Sequence, residues 1–182
     1  MSNNNIGVES TPVSSCMTAN VKTAMENQPI REVCKMMYQN KNGSMLILKK
    51  NTIDDGNKSD DKKPIGIVTE RDIVRLMGSS DMSLDNVPVR ELMSSPLITI
   101  NPNNSIKDAI EIMQQKDIRR LPVVDNKGKM VGIITHKDVF RAMLKNQTLV
   151  TSFLGDDQLL VDQQLIYAKF SDYRFNDILP RP

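Results

Sequence analysis

The sequence lacks several features that would place it in a special class of protein. Its 182 residues include no tryptophan, one histidine and two cysteines, and no run of about 18 apolar residues that could cross a membrane. Cys16 and Cys34 form no Cys-x-x-Cys pair, so we expect two reduced thiols in a cytoplasmic protein rather than a disulfide or a metal site. The polar residues 2–15 have no apolar stretch of the kind a signal peptide needs.

Charge of either sign is not in excess. Lys and Arg number 24 and Asp and Glu number 22, which gives a formal net charge of +2. A protein that mainly coats nucleic acid would be far more basic, so we expect neither nucleic acid nor a membrane as the main partner. The single histidine, His136, has no accompanying nucleophile or metal-ligand set. The sequence therefore predicts no catalytic residue, no metal and no required cofactor, and hence no enzyme.

What the chain does contain is an internal repeat, the feature to examine before any other. Residues 65–72 read Ile-Gly-Ile-Val-Thr-Glu-Arg-Asp and residues 131–138 read Val-Gly-Ile-Ile-Thr-His-Lys-Asp, at an offset of 66. Residues 16–49 match residues 92–125 at an offset of 76, so the first copy carries ten extra residues. We place them in residues 49–63 and expect a mobile, exposed loop, because a long hairpin tip does not disturb the sheet.

Each copy has the pattern of a β-α-β-β-α unit. Short strands at residues 21–25 and 97–100 precede helices whose apolar residues recur at i, i+3, i+4 and i+7. Buried-type strands follow at residues 45–48 and 121–124, and the Gly-x-x-Thr strand then leads into a second helix. The apolar side of this helix comprises Ile73, Val74, Leu76 and Met77 in the first copy and Val139, Phe140, Met143 and Leu144 in the second. Since one sheet with helices on one face buries only one side, the units should pack on each other.

The predicted organisation has five parts. Residues 1–14 form a disordered lead, residues 15–80 the first repeat, residues 81–91 a linker, residues 92–146 the second repeat, and residues 147–182 a C-terminal extension. The extension holds five of the seven aromatic residues. So much apolar surface should dock, either on its own module or across a homodimer, with a foreign protein as the alternative.

Two units that each end in Gly-h-h-Thr-x-x-Asp, where h is apolar, resemble the tandem CBS (cystathionine β-synthase) domain pair, or Bateman module. The resemblance covers residues 15–145: residues 118–124 are similar to the family's strand after the first helix, and residues 16–21 and 92–99 to its leading strands. It implies an α/β (α+β) fold of two repeats packed with pseudo-two-fold symmetry, and a homodimer. It also implies a stand-alone sensor that binds AMP, ADP or ATP between the repeats and signals occupancy, by conformational change, to a regulated protein. S-adenosylmethionine and dinucleotides are other candidate ligands.

The repeated Thr-x-x-Asp segment suits such a ligand chemically. A ribose offers two neighbouring hydroxyl groups, and an ionised carboxylate can accept a hydrogen bond from both. Asp72 and Asp138, with Thr69 and Thr135 beside them, stand at helix N-termini, which also favour phosphate. The same pattern is an ordinary helix cap, and a cap alone would explain one copy. Because the Thr-x-x-Asp pattern occurs twice, in the same arrangement of strands and helices, contact with a ligand is favoured over a cap alone.

Cations that could hold phosphate are not repeated. Arg119 and Arg120 are adjacent at the start of a strand, and so point to opposite faces; they are either phosphate ligands or exposed strand-end charges. Arg71, His136 and Lys137 adjoin the two aspartates. We therefore expect two unequal sites, with Asp72 and Arg120 as the best pairing for a phosphorylated ligand.

By resemblance, the leading segment of one repeat (residues 16–21 or 92–99) faces the aspartate of the other, and its residues would form an apolar slot for adenine. One site would combine Pro96, Leu97 and Ile98 with Thr69 and Asp72, and the other would combine Thr18, Ala19, Val21 and Ser44 with Thr135 and Asp138. The strand residues would be apolar as core in any case. The alternative function is a scaffold protein that keeps this fold without a ligand and acts through its dimer surface and aromatic tail.

Overall fold

The computed structural model describes residues 10–49, 63–79 and 84–145, which form two copies of one pattern, the second without the leading strand. The first copy comprises β1 (Thr23–Met25), α1 (Ile30–Asn40), β2 (Ser44–Leu48), β3 (Pro64–Thr69) and α2 (Glu70–Ser79). The second comprises α3 (Ile106–Gln115), β4 (Arg120–Val124), β5 (Met130–Thr135) and α4 (His136–Lys145). The mixed α/β class with two repeats is confirmed. Residues 50–62 of the predicted loop (residues 49–63) and the aromatic extension lie outside the described residues.

The core of the first repeat lies between a three-stranded sheet and two helices. The sheet has the order β1-β2-β3, with β1 parallel and β3 antiparallel to the central β2. All of residues 45–48 on β2 are buried, because this strand has a neighbour on either side. On α1, Ile30, Val33 and Met37 are buried and Cys34 packs against them. The predicted i, i+3, i+4, i+7 stripe is therefore the face that covers the sheet.

The predicted strand at residues 97–100 does not form. Ile100 alone pairs with β4: its N–H donates to the Pro122 carbonyl at 3.0 Å, and its carbonyl accepts from the Val124 N–H at 2.9 Å. In parallel pairing, the residue two positions before Ile100 would accept its next bond from the N–H of residue 122. Proline has no N–H to donate, so the pairing stops at one residue.

The apolar side predicted for α2 is only half buried. Ile73 and Leu76 pack against the core, whereas Val74 is 68% exposed and Met77 is 66% exposed. At about 100° per residue, Met77 lies only about 40° from Ile73 around the helix, so the exposed pair flanks the pair that packs on the core. In the second repeat, the matching Met143 is buried.

The structure describes residues 10–14 of the predicted disordered lead (residues 1–14). Residues 10–17, which we name the N-terminal strap, include a short 3-10 helix at Val13–Ser15. The Val13 side chain is fully buried, and its N–H donates to the Asn104 carbonyl at 2.8 Å. The Ile106 N–H, at the start of α3, donates to the Thr11 carbonyl at 2.9 Å. The strap thus satisfies a backbone donor that an isolated helix leaves without a partner.

The linker between the repeats does the same for α1. In residues 84–93, the linker strap, Val89 is buried and its N–H donates to the Gln28 carbonyl at 2.8 Å, while the Ile30 N–H donates to the Val87 carbonyl at 2.9 Å. Arg31 on α1 forms an ion pair with Asp85 of the strap. Each repeat therefore has the N-terminus of its first helix covered by the segment that precedes the other repeat.

The described residues form two compact units. One consists of Thr18–Pro102 and Leu121–Ile133, and the other of the remaining described residues. Each strap lies in the same unit as the helix that it covers. The predicted domain boundaries and the pseudo-two-fold packing stay predictions.

Candidate functional site

The first Thr-x-x-Asp segment is a reciprocal helix cap. The Thr69 N–H and hydroxyl donate to Oδ2 of Asp72 at 2.8 Å and 2.6 Å, and the Asp72 N–H donates back to the Thr69 hydroxyl at 3.4 Å. The Glu70 N–H donates to the Gly43 carbonyl at 3.3 Å, which ties the start of α2 to the start of β2. The half-buried carboxylate of Asp72 is therefore held through one oxygen.

The second segment repeats this geometry closely. The Thr135 N–H and hydroxyl donate to Oδ2 of Asp138 at 2.9 Å and 2.6 Å, and the Asp138 N–H donates back at 3.3 Å. The His136 N–H donates to the Arg119 carbonyl at 3.2 Å. Both segments are thus helix caps, the alternative considered for the sequence. Since capping uses Oδ2, the cap leaves Oδ1 of each carboxylate for another donor.

The two carboxylates differ in their surroundings. Oδ1 of Asp138 lies 4.0 Å from Nη1 of Arg141, and the Asp138 side chain is only 11% exposed. Burial first, and then the negative charge of Asp138, raise the pKa of the Cys16 thiol to about 11. Cys16 was not predicted as a neighbour of this carboxylate. The residue that matches Cys16 in the other repeat is Leu92, so the repeat does not indicate that a thiol lies near the aspartate.

The leading segments pair with the Gly-x-x-Thr strand of the opposite repeat, which is β5 for Thr18 and β3 for Ser94. Thr18 and Ile133 exchange two backbone hydrogen bonds, both of 2.9 Å, and Ser94 and Ile67 exchange two of 2.8 Å and 3.1 Å. The Ser95 hydroxyl also donates to the Ile65 carbonyl at 2.9 Å. In sequence, each of these contacts lies close to the residues predicted to form the adenine slots.

The slot residues themselves are mostly open to solvent. Of this set, Thr18, Ala19, Pro96 and Ile98 are exposed, and Val21 and Leu97 are half-buried. Ser44 pairs with Thr69 across β2 and β3. Adenine contact by any of these residues stays a prediction.

The predicted phosphate ligands lie near the N-termini of α2 and α4. Arg119 and Arg120 are half-buried, and the Arg119 carbonyl bonds the first residue of α4 in its own repeat. His136 is half-buried, and Arg71 and Lys137 are exposed. The predicted partnership of Arg120 with Asp72 stays a prediction.

Two cavities in the described ranges lie away from these residues. One, of about 520 Å³, is polar and is lined by residues that include Pro12, Asn104 and Glu111. The other, of about 130 Å³, is lined by Ile30, Leu76, Val87, Glu91 and Leu92. Within the same ranges no group of three or more His, Cys, Asp or Glu side chains could hold a metal ion, and no helix is long and apolar enough to cross a membrane.

The sequence matches the CBS domain family over residues 13–79 and 89–145. This chain belongs to that family. YhcV of Bacillus subtilis, a CBS domain-containing protein, is 32% identical over 136 residues, which cover 75% of this chain and 88% of YhcV. An uncharacterized protein of Methanopyrus kandleri, MK0525, is 36% identical over 121 residues, or 66% of this chain. The chain spans only 57% of MK0525.

Solved structures of CBS proteins have the same fold. CBSX2, solved in complex with AMP, aligns with a TM-score of 0.62 at 22% identity, covering 74% of this chain and 97% of CBSX2. The CBS domain pair of MJ0100, solved with 5′-methylthioadenosine and S-adenosylmethionine, aligns with a TM-score of 0.59 at 24% identity, covering 73% of this chain and 99% of that one. At these identities the likeness shows the fold.

One relative carries the name of an enzyme. A homoserine O-acetyltransferase of Methanohalobium evestigatum is 29% identical over 131 residues, which cover 72% of this chain but only 24% of that protein. The matched quarter says nothing of where the transferase activity lies. The absence of catalysis in this chain stays a prediction.

Proposed function

We propose that this CBS protein is a sensor that binds an adenosine-containing ligand at its two Thr-x-x-Asp segments and signals occupancy by conformational change. The observation that carries the proposal is the geometry of the paired caps. Each cap fixes a carboxylate through Oδ2 and leaves Oδ1 for a ribose hydroxyl. Binding of AMP by CBSX2 and of S-adenosylmethionine by the MJ0100 pair supports the same ligand class.

The chemistry of the two caps would favour a nucleoside as the ligand. Oδ1 and the remaining capacity of Oδ2 can accept from both hydroxyls of a ribose. The positive ends of the α2 and α4 dipoles favour an anionic group beside the ribose. Arg71 in the first repeat, and Arg119, Arg120, His136 and Lys137 near α4, would supply cations for AMP, ADP or ATP. The ligand can change the conformation only if it binds the two states with different affinity.

Calorimetric titration of the full chain with AMP, ATP and S-adenosylmethionine tests the proposal. Asp72→Asn and Asp138→Asn should each weaken one site by about 30-fold, since a hydrogen bond to a charged group contributes about 2 kcal/mol. Asp108→Asn is the matched control. Asp108 also accepts a backbone N–H at a helix N-terminus, that of Ser105 at 2.8 Å, but it lies outside both segments. It should therefore leave every affinity unchanged.

Thermal unfolding gives an independent measurement. A ligand at a hundredfold excess over its Kd should stabilise the chain by about 2.7 kcal/mol. For a protein of this size, that raises Tm by roughly 5–10 °C. If the ligand binds but both aspartate variants bind it normally, the assignment of the carboxylates to ribose is wrong.

A scaffold function is the second candidate, and one observation favours it. Val74 and Met77 expose an apolar surface on α2, where a homodimer or a regulated protein could bind. If no adenine ligand binds and Met77→Lys converts a dimer to a monomer in sedimentation, the scaffold function replaces the sensor. A cytoplasmic location remains our expectation for either function.

A further inference from the structure

At residue 66, any side chain larger than that of glycine would force neighbouring atoms to move. Gly66 is buried in β3, opposite Ile47 of β2. A Cβ atom at this position would lie 2.7 Å from Cγ and 3.1 Å from Cβ of Met93, with Sδ closer still. Carbon atoms in favourable contact are about 3.5–4.0 Å apart. The absence of a side chain at Gly66 is therefore what allows Met93 to pack directly on the strand.

The backbone on both sides of Met93 is held in place. The Met93 N–H donates to the Val89 carbonyl at 3.0 Å, and the next residue, Ser94, exchanges its two hydrogen bonds with Ile67. Met93 also packs against the core of the first repeat, so its Sδ and Cγ cannot rotate away from a new methyl group without losing that packing. The 3.1 Å approach of the two Cβ atoms alone would need only a small shift. An alanine at residue 66 would therefore displace the leading segment from β3, mainly through Sδ and Cγ of Met93.

This contact bears on the first ligand site. Ile67 precedes Thr69 by two residues on β3, and Ser94 precedes Pro96 by two residues in the leading segment. The hydrogen bonds between Ile67 and Ser94 thus connect the two groups of residues predicted to hold ribose and adenine. We propose that Gly66 and Met93 are positioning residues: their contact sets the spacing between the leading segment and β3, and so decides whether the Asp72 site accepts its ligand. The proposal rests on the proposed sensor function.

The segments of the other predicted site have the same residue types at matching positions. Met17 matches Met93, and Gly132 matches Gly66. The Met17 N–H donates to the Val13 carbonyl at 3.0 Å, as Met93 does to Val89. The Asp138 site therefore serves as an internal comparison for a change made at residue 66.

Titration of the full chain with AMP and S-adenosylmethionine, in an Asp138→Asn background, reports on the Asp72 site alone. Gly66→Ala should weaken binding there by about tenfold or more, the effect of losing one good hydrogen bond to the ligand. Adding Met93→Ala removes the clashing Sδ and Cγ and should restore most of the affinity. Gly78→Ala is the matched glycine control, because a Cβ there meets nothing within 4 Å; it should have no effect.

Several results would overturn the inference. One is a Gly66→Ala chain that binds like its parent, and another is a loss that Met93→Ala does not recover. In an Asp72→Asn background, Gly66→Ala should leave the Asp138 site unchanged, so an equal loss at both sites would indicate general damage to the fold. If Gly66→Ala does not fold, Met93→Ala alone should still weaken the Asp72 site, and unchanged affinity would refute the proposal.

Failure of the sensor function is distinguishable from failure of this inference. If the unaltered chain binds neither probe, the sensor function fails and the positioning role falls with it. If the unaltered chain binds and Gly66→Ala has no effect, only the positioning role fails.

Discussion

Replacing Val13 with alanine should destabilise the second repeat, although Val13 precedes the first repeat in sequence. Its side chain is fully buried in the N-terminal strap, and its N–H bonds the Asn104 carbonyl just before α3. The substitution removes about two methylene equivalents, each worth about 0.8 kcal/mol of transfer free energy. The cavity left behind adds to this loss. We expect a total of about 2 kcal/mol in the free energy of unfolding.

Amide hydrogen exchange can locate this loss, because it resolves local opening along the chain. In Val13→Ala, the amides of α3 should exchange about 30-fold faster, and those of α1 should be unchanged. Val89→Ala is the matched variant, since Val89 is equally buried and its N–H bonds Gln28 before α1. It should give the reverse pattern. If both variants loosen both helices equally, or if Val13→Ala loosens α1 alone, the assignment of each strap to one helix is refuted.

Four further predictions concern stability and reactivity. Ser105→Ala should cost about 1 kcal/mol in urea unfolding, because the Asp108 N–H loses its cap. A hydrogen bond from the Ser105 backbone lowers the pKa of Asp108 below the ordinary aspartate value. The ionised Asp108 carboxylate therefore stabilises the folded chain at pH values above that ordinary value. The destabilisation caused by Asp108→Asn should become smaller as the pH falls from the ordinary aspartate pKa through the lowered one. Since the Cys16 pKa is raised to about 11, its thiol should react with iodoacetamide more slowly than in the unfolded chain. Its contribution to stability should be full below about pH 9 and decline toward about pH 11. Lys41→Gly should raise stability in thermal unfolding by about 1 kcal/mol, because Lys41 ends α1 with a left-handed φ of 53°.

The last three of these predictions would each be contradicted by a specific result. An Asp108→Asn cost that grows as pH falls would contradict the direction of the pKa shift. Fast alkylation of Cys16 in the folded chain would show that the thiol is more ionised than its burial implies. A destabilising Lys41→Gly would show that the lysine side chain makes a contact worth more than the relief of its backbone conformation.

Periodicity and repetition made the fold predictable from sequence. The stripe from Ile30 to Met37 sufficed to place α1 on a sheet, because an apolar face at helical spacing has few other uses. The two Thr-x-x-Asp segments sufficed to place Asp72 and Asp138 at helix starts. These features depend on residues that are close together in the sequence, and each pattern occurs twice in the chain.

Contacts between distant segments were not predictable in the same way. Val13 stands alone in a polar stretch, so its burial follows from pairing with Asn104 and not from any local pattern. The missing strand before Ile100 depends on Pro122, a residue of the neighbouring strand. The proximity of Cys16 to Asp138 likewise depends on tertiary structure. The sequence sufficed to predict the paired caps, whereas binding of a ligand at either cap has to be measured by titration.

The straps also bear on how the protein folds as it is synthesised. The N-terminal strap leaves the ribosome early, but its partner α3 follows only after the whole first repeat. The linker strap also follows the rest of its repeat, but its contact joins residues 61 apart (Gln28 and Val89), whereas the contact of the N-terminal strap joins residues 91 apart (Val13 and Asn104). The strap contact of the second repeat therefore closes the longer loop, and such long-range contacts slow folding. The first residues described are thus among the last to reach their final position.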